Sequence, residues 1–168
     1  MHFRKYEESD AKKILSWIDN ERDFRLWSAD RYGEYPIKAE DININYRTCS
    51  EKGNFYPMTL VDDDNNIIGH LIFRNPGEDK TVVRLGFIIV DNKIRGKGFG
   101  RILLELAIKY AKEKLNATEL SLGVFMNNQS AYRCYFSVGF REVGIEKGVC
   151  NYKGECWDCI EMELKCSE

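Results

Sequence analysis

The 168-residue sequence predicts an α/β sandwich on a mixed sheet, and three observations predict it. Runs of strand length, alternating or wholly apolar, recur along the chain. Stretches with helical apolar spacing fall between them. A basic, glycine-rich segment joins the most apolar run to the best-defined helical one.

Residues 2–6 read as a first strand. Ser9 is an expected N-cap for a helix through Ile14, Leu15, Trp17 and Ile18, whose spacing makes one apolar face. Asn20 to Tyr35 is polar and aromatic without a clear period. A second helix is expected from Ala39 to about Ser50. Phe55–Val61 and Ile67–Phe73 read as strands around the turn Asp62-Asp63-Asp64-Asn65-Asn66. Thr81–Val90 is a strongly apolar strand, and its end, Phe87-Ile88-Ile89-Val90, reads as buried on both faces. After the loop Asp91–Gly100 a helix runs to about Leu115, with Ile102, Leu103, Leu106, Ala107 and Tyr110 on one side. Leu120–Phe125 is a strand. Asn127-Asn128 caps a short helix ending at Gly139. Phe140–Ile145 and Trp157–Leu164 are the last two strands, joined across Lys147–Glu155. The expected order is β-α-α-β-β-β-α-β-α-β-β.

At this length one domain, residues 1–168, is expected, large enough to bury a sizeable core. Apolar residues make up 43%, which argues against a disordered chain. Lys plus Arg number 25 against 27 Asp plus Glu, so no global charge calls for nucleic acid as the main partner. No apolar run approaches the roughly 20 residues that span a bilayer. Met1-His2-Phe3-Arg4-Lys5-Tyr6 lacks the apolar region of a signal peptide, so a cytoplasmic location is expected. The six cysteines then read as reduced thiols. Cys156-Trp157-Asp158-Cys159 has C-x-x-C spacing, but the only histidines, His2 and His70, are far away in sequence and the segment alternates like a strand. No metal is expected.

The informative stretch is Arg95-Gly96-Lys97-Gly98-Phe99-Gly100-Arg101. The first amides of a helix have no intrahelical acceptor, and the helix dipole adds partial positive charge there. Glycines let a phosphate approach those amides closely. Lys93, Arg95, Lys97 and Arg101 add four cations within nine residues. This describes a pyrophosphate site. A P-loop is excluded because Arg101-Ile102 follows Gly100 in place of Lys and a hydroxyl residue; the dinucleotide pattern G-x-G-x-x-G fails at Arg101 or Leu103. The spacing that fits is R-x-x-G-x-G, through Arg95, Gly98 and Gly100. A second element, N-x-x-A-x-x-x-Y-x-x-x-G-F, runs from Asn128 through Ala131, Tyr135 and Gly139 to Phe140. Ala131 and Tyr135 share a helix face. The small Ala leaves room for a ligand, and Tyr135 offers a phenol at its edge.

Together these elements resemble the GCN5-related N-acetyltransferase (GNAT) superfamily, most closely over Val82–Gly144. The resemblance implies a mostly antiparallel central sheet flanked by helices, with acetyl-CoA as co-substrate. It implies that the amides from Arg95 to Arg101 hold the pyrophosphate, through Arg95, Gly96, Lys97, Gly98, Phe99, Gly100 and Arg101. It places the pantetheine arm along Ile88, Ile89 and Val90, opposite a strand ending near Val124-Phe125. Asn128 would bond that arm, and Tyr135 would sit by the thioester sulfur. The reaction expected from it is acetyl transfer to a primary amine by direct attack. Tyr135 is then the candidate general acid, and the Val90 backbone N–H the candidate donor to the thioester oxygen. A non-catalytic acyl-CoA sensor is the alternative. No base is assigned: the strand before the loop carries no acid, and Asp91, Asp30, Glu34, Glu40 and His70 are only candidates. Cys134 reads as packing rather than as a nucleophile. Trp27, Tyr32 and Tyr35 beside Asp23, Asp30 and Glu34 would suit a cationic amine, such as a polyamine, an aminoglycoside-like amine or a protein amino terminus; equally, these aromatics would pack a helix on the sheet. Either a monomer or a homodimer is compatible with the sequence.

Overall fold

Alternation along the central strands sorts side chains to two faces, and each face collects its own helices. The computed structural model describes residues 1–166. Its elements are β1 (His2–Lys5), α1 (Asp10–Leu15), α2 (Glu21–Ser28), α3 (Ala39–Ser50), β2 (Phe55–Val61), β3 (Ile67–Arg74), β4 (Val82–Val90), α4 (Phe99–Lys114), β5 (Glu119–Phe125), α5 (Gln129–Ser137), β6 (Arg141–Tyr152) and β7 (Glu155–Lys165). The seven strands form one sheet in the order β1-β2-β3-β4-β5-β7-β6. Every neighbouring pair is antiparallel except β4 with β5, which the α4 crossover makes parallel.

Leu71, Phe73, Val83, Leu85, Leu120 and Leu122 point to one face, where Leu103, Leu104, Ala107 and Ala111 of α4 close the larger core. Ile72 points to the other, with Ala11 of α1, Phe24 of α2 and Ile42 and Tyr46 of α3. Among the described residues no helix is long and apolar enough to cross a membrane.

Four local expectations need correction. The first helix ends at Leu15, not beyond Ile18, because the Ser16 hydroxyl donates to the Lys13 carbonyl (2.6 Å) and diverts the last turn. Nor does the Ser9 side chain cap it. Residues 21–28 form an unexpected helix, α2, whose cap is the Asn20 side chain accepting from the Asp23 N–H (2.9 Å). The last two strands are longer than expected and meet in a tight turn at Lys153-Gly154, both at positive φ, rather than in a loop. Finally, Phe87, Ile88 and Val90 are only half-buried. β5, the next strand, has parted from this end of β4 and leaves a gap beside it.

That departure is the feature that matters most. β4 and β5 pair only through Val82↔Glu119, Val83↔Leu120 and Arg84↔Ser121. Beyond Arg84, β4 stays with β3 as far as Gly69↔Val90, while β5 stays with β7 as far as Phe125↔Cys159. A wedge opens in the sheet. At its apex β4 bulges: the register steps from Ile72↔Gly86 to His70↔Ile89, and Phe87 takes φ +49°. The Trp27 indole N–H from α2 donates to the Phe87 carbonyl (3.0 Å) and so supports the bulge.

The sheet edge is fixed by a buried charge. Asp10, 1% exposed, accepts two bonds from the Arg4 guanidinium (2.8 Å each), one from the Thr59 hydroxyl (2.7 Å) and one from the Glu7 N–H (3.0 Å). Burial opposes its ionisation, but these bonds prevail and hold its carboxyl below the ordinary value. Asp10→Ala leaves Arg4 without that partner and is expected to cost about 3 kcal/mol, read from chemical unfolding. His70, fully buried, meets the Tyr46 hydroxyl at 2.8 Å, with Tyr6 and Asp10 nearby. Burial pushes its pKa down to about 3. The unfolded chain therefore binds a proton between pH 6.5 and 3 that the folded chain refuses, so stability falls as pH falls through that window. His70→Gln is expected to remove up to about 1.4 kcal/mol of this loss per pH unit, seen by comparing the two proteins' unfolding midpoints from about pH 7 to about pH 4.

Candidate active site

The loop after β4 begins with a short 3₁₀ turn at Asn92–Ile94, capped by the Asp91 carboxylate, which accepts from the Lys93 N–H (2.9 Å). Gly96 and Gly98 then take φ +75° and +85°. Glycine is needed at both for its backbone and not for space, since a Cβ would meet nothing within 4 Å at either. Gly98 is the N-cap of α4 and presents the first helix amides to open space. The cations divide. Arg95 donates to the Trp17 carbonyl (3.1 Å) and ties the loop to the end of α1. Arg101 pairs with Glu105 one turn along α4 (2.7 Å). Lys93 and Lys97 are exposed.

These glycines open onto a cavity of about 490 Å³ that follows the wedge inward. Ile88, Ile89, Val90, Arg95, Gly96, Gly98, Gly100, Arg101, Asn128, Ala131 and Tyr135 all line it. Lys97 and Phe99 do not; Lys97 stands in solvent and Phe99 packs half-buried against the core. The Asp91 N–H bonds the Ile68 carbonyl on β3 (3.0 Å). Main-chain groups alternate sides along a strand, so those of Val90, and of Ile88 beside the bulge, turn away from β3 toward the wedge. Asn128 caps α5 by accepting from the Ala131 N–H (3.3 Å). Tyr135 is buried at the inner end, and burial raises its phenol pKa, so it stays protonated. Burial raises the neighbouring Cys134 thiol as well.

A second cavity, about 670 Å³, lies across the wedge. The two share Trp27, Gly86, Phe87, Gly123, Asn128 and Tyr135, so they form one passage through the parted sheet. Sequence reasoning missed most of what lines the far side. Arg84 on β4 reaches across β5 to a bidentate pair with Glu161 on β7 (2.6 and 3.0 Å). It passes over Gly123, where a Cβ would stand 2.9 Å from the guanidinium and 2.8 Å from the Cys159 sulfur. Arg74 on β3, Arg31 and Asp30 after α2, Lys52 after α3 and Glu146 on β6 complete the charged lining. The signal that could have found Arg74 and Arg84 was a charged residue near the end of an otherwise apolar strand; Glu161 lies mid-strand among other charges and carries no such signal.

The other candidates fall elsewhere. Tyr32 is in the core with Phe24, and Tyr35 packs on it; the aromatics from this segment mainly hold α2 to the sheet. Glu40 pairs with Arg47 (2.6 Å), and Glu34 lines neither cavity. Asp23 lines the first cavity at its rim. His70 lines neither. In the C-x-x-C segment the two cysteines lie three apart on a strand: Cys159 faces the second cavity, whereas Cys156 is exposed near the hairpin end.

Residues 18–140 match the model of the acetyltransferase (GNAT) family. The chain belongs to that family. It is an acetyltransferase, with acetyl-CoA as its co-substrate. An N-alpha-acetyltransferase of Saccharolobus solfataricus is 31% identical over 158 residues, covering 80% of this chain and 90% of its own. The human N-acetylaspartate synthetase is 29% identical over 117 residues, covering 67% of this chain and 36% of its own. A spermidine N-acetyltransferase from Vibrio cholerae, solved in complex with CoA and spermine, superposes with a TM-score of 0.81 at 22% identity, over 97% of this chain and 94% of its own. Gly98→Ala is expected to destabilise the acetyltransferase by about 1 kcal/mol through its positive φ and to weaken CoA binding. Thermal unfolding with and without CoA reads both effects.

Proposed function

We propose that this acetyltransferase passes the acetyl group directly from acetyl-CoA to a primary amine while both are bound, each from its own side of the sheet. The observation that carries this reading is that the two cavities meet at Tyr135. On it, residues 1–168 act as one catalytic domain.

The α4 amides opened by Gly96, Gly98 and Gly100 receive the pyrophosphate, with Lys97 and Arg101 contributing charge from outside. Arg95 and Phe99 hold the loop in place. The pantetheine arm runs along the main chain of Ile88, Ile89 and Val90 on one wall of the wedge; Asn128 meets it from the other, and Ala131 leaves room beside it. An ammonium must lose its proton before it attacks, because its pKa lies near about 10.4. The carboxylates of Asp30 and Glu146 at the acceptor rim, without an ion-pair partner among the described residues, are the groups through which water carries that proton away. As nitrogen bonds to the thioester carbon, negative charge grows on its oxygen, and the inward-turned Val90 N–H is the donor that offsets it, with the Ile88 N–H deeper along the same edge. The C–S bond then breaks, and the Tyr135 hydroxyl gives its proton to the departing sulfur. A covalent acyl-cysteine step finds little support: burial pushes Cys159 up to about 11 and raises Cys134, so both remain thiols at neutral pH.

Tyr135→Phe is expected to keep CoA affinity within about twofold and to lower kcat about 100-fold, measured by thiol release and calorimetry. Unchanged turnover would remove Tyr135 from the reaction. CoA binding without thiol release on any amine would leave a CoA-binding domain.

A further inference from the structure

The names of the three relatives point to an alpha-amine, to N-acetylaspartate and to spermidine, so the acceptor must be read from this chain's own cavity. Its floor carries a like-charge juxtaposition. Arg74 and Arg84 are direct cross-strand partners on β3 and β4. Both side chains line the cavity on the face opposite Phe73 and Leu85. Like charges placed directly opposite destabilise a sheet unless something neutralises them. Glu161 neutralises one of the two: its carboxylate is taken up bidentately by Arg84. Arg74 has no hydrogen-bond or ion-pair partner among the described residues, although it is half-buried. Burial, with Arg84 and Arg31 close by, weakens its hold on its own proton. The two unpaired carboxylates of the lining, Asp30 and Glu146, are exposed at the rim, as are Arg31 and Lys52. The unpaired charge that reaches the floor is therefore a guanidinium, whose planar donor fork matches an oxyanion.

The position of this fork limits what it can hold. Arg84 and Gly86 lie two residues apart on one face of β4, about 7 Å, and Gly86 borders the passage shared with Tyr135. An anion on Arg74 and an amine at the passage thus lie within reach of one small molecule that carries both groups. A cavity of about 670 Å³ suits a small molecule of that kind. We propose that the acceptor is an amine that also carries an oxyanion, a carboxylate or phosphonate, and that Arg74 receives that anion. This selection rests on the amine-acetylating reading above and turns it away from polyamines, whose charges Arg74 would repel. It also displaces the cationic acceptor that the aromatic-acidic loop suggested from sequence, because Tyr32 and Tyr35 are spent on packing α2.

The test is a matched panel. Each L-amino acid is paired with its decarboxylated amine, and aminoalkyl phosphonates and spermidine are added; thiol release from acetyl-CoA gives kcat/KM, and calorimetry on the CoA-loaded protein gives binding. The expected result is at least a roughly tenfold preference for the oxyanion-bearing member of a pair. Arg74→Gln should erase it by raising KM about 10- to 100-fold, with kcat/KM for the decarboxylated amines within about twofold of wild type. Arg74→Lys, which keeps the charge but not the fork, should restore part of the preference. The carboxylate and phosphonate arms show which oxyanion is held better. Spermidine or the decarboxylated amines outrunning their partners overturns the proposal, as does an equal loss on both members in Arg74→Gln. Arg74-dependent binding of amino acids without thiol release would uphold the anion site and defeat the acetyl-transfer reading instead. Absence of both binding and turnover with every oxyanion-bearing amine tested overturns the proposal.

Discussion

The parting of β4 from β5 is the constraint on which the site depends. A sheet ordinarily satisfies its main-chain groups by continuous pairing, and a buried amide without a partner costs about 1–3 kcal/mol. Here the pairing stops at Arg84 with six residues of β4 still to come. The exposed edge this leaves faces a cavity, not a neighbour, so its N–H and C=O groups are available to an extended polar ligand. An extended ligand with amides of its own fits such an edge as a missing strand would. The positive φ of Phe87 is strain held at the apex of the wedge, and Trp27 supplies the bond that keeps it there. α2, which carries Trp27, is therefore part of the site although none of its residues reacts.

The start of α4 follows from the same geometry. A parallel neighbour for β4 needs a crossover, and a crossover helix begins where its strand ends. Its unpaired N-terminal amides consequently stand at the mouth of the wedge. Gly96 and Gly98 turn the chain sharply enough to leave those amides open. Open helix amides at the mouth and an open strand edge inside are two results of one topological choice.

Much of this is legible in the amino-acid sequence. The motif Arg95–Gly100 and the run from Asn128 to Phe140 are local: each depends on a turn, a cap or a helix face that a few consecutive residues determine. The strands carry their periodicity openly, and α3, α4 and α5 begin where their sequences indicate. What escapes a sequence reading is non-local or breaks a local rule. α2 hides behind a polar stretch, because Phe24, the one residue of its apolar face that is fully buried, is flanked by charges. Phe87–Val90 reads as a strand buried on both faces, since an apolar side chain at the wall of an open passage looks the same in sequence as one packed under a helix. The charges that define the acceptor side come from β3, β4, β6 and β7, and only the sheet order brings them together.

The distribution of charge gives the passage its direction. At its inner end Tyr135, Cys134 and Cys159 are held in their neutral forms by burial. The groups offered at that end are a hydroxyl and two thiols. Formal charges stand to either side: Lys97 and Arg101 at the glycine loop, Arg74 and the Arg84–Glu161 pair on the floor of the second cavity. Coulomb attraction can then select and orient each substrate from its own end. Chemistry proceeds in between, where a low dielectric makes a few aligned main-chain dipoles effective. Gly123 is what makes this separation possible on the acceptor side. Only a residue without a side chain lets Arg84 lie across β5 to Glu161, and that crossing gives one cation of the Arg74–Arg84 pair a bidentate partner while the other has no hydrogen-bond or ion-pair partner among the described residues.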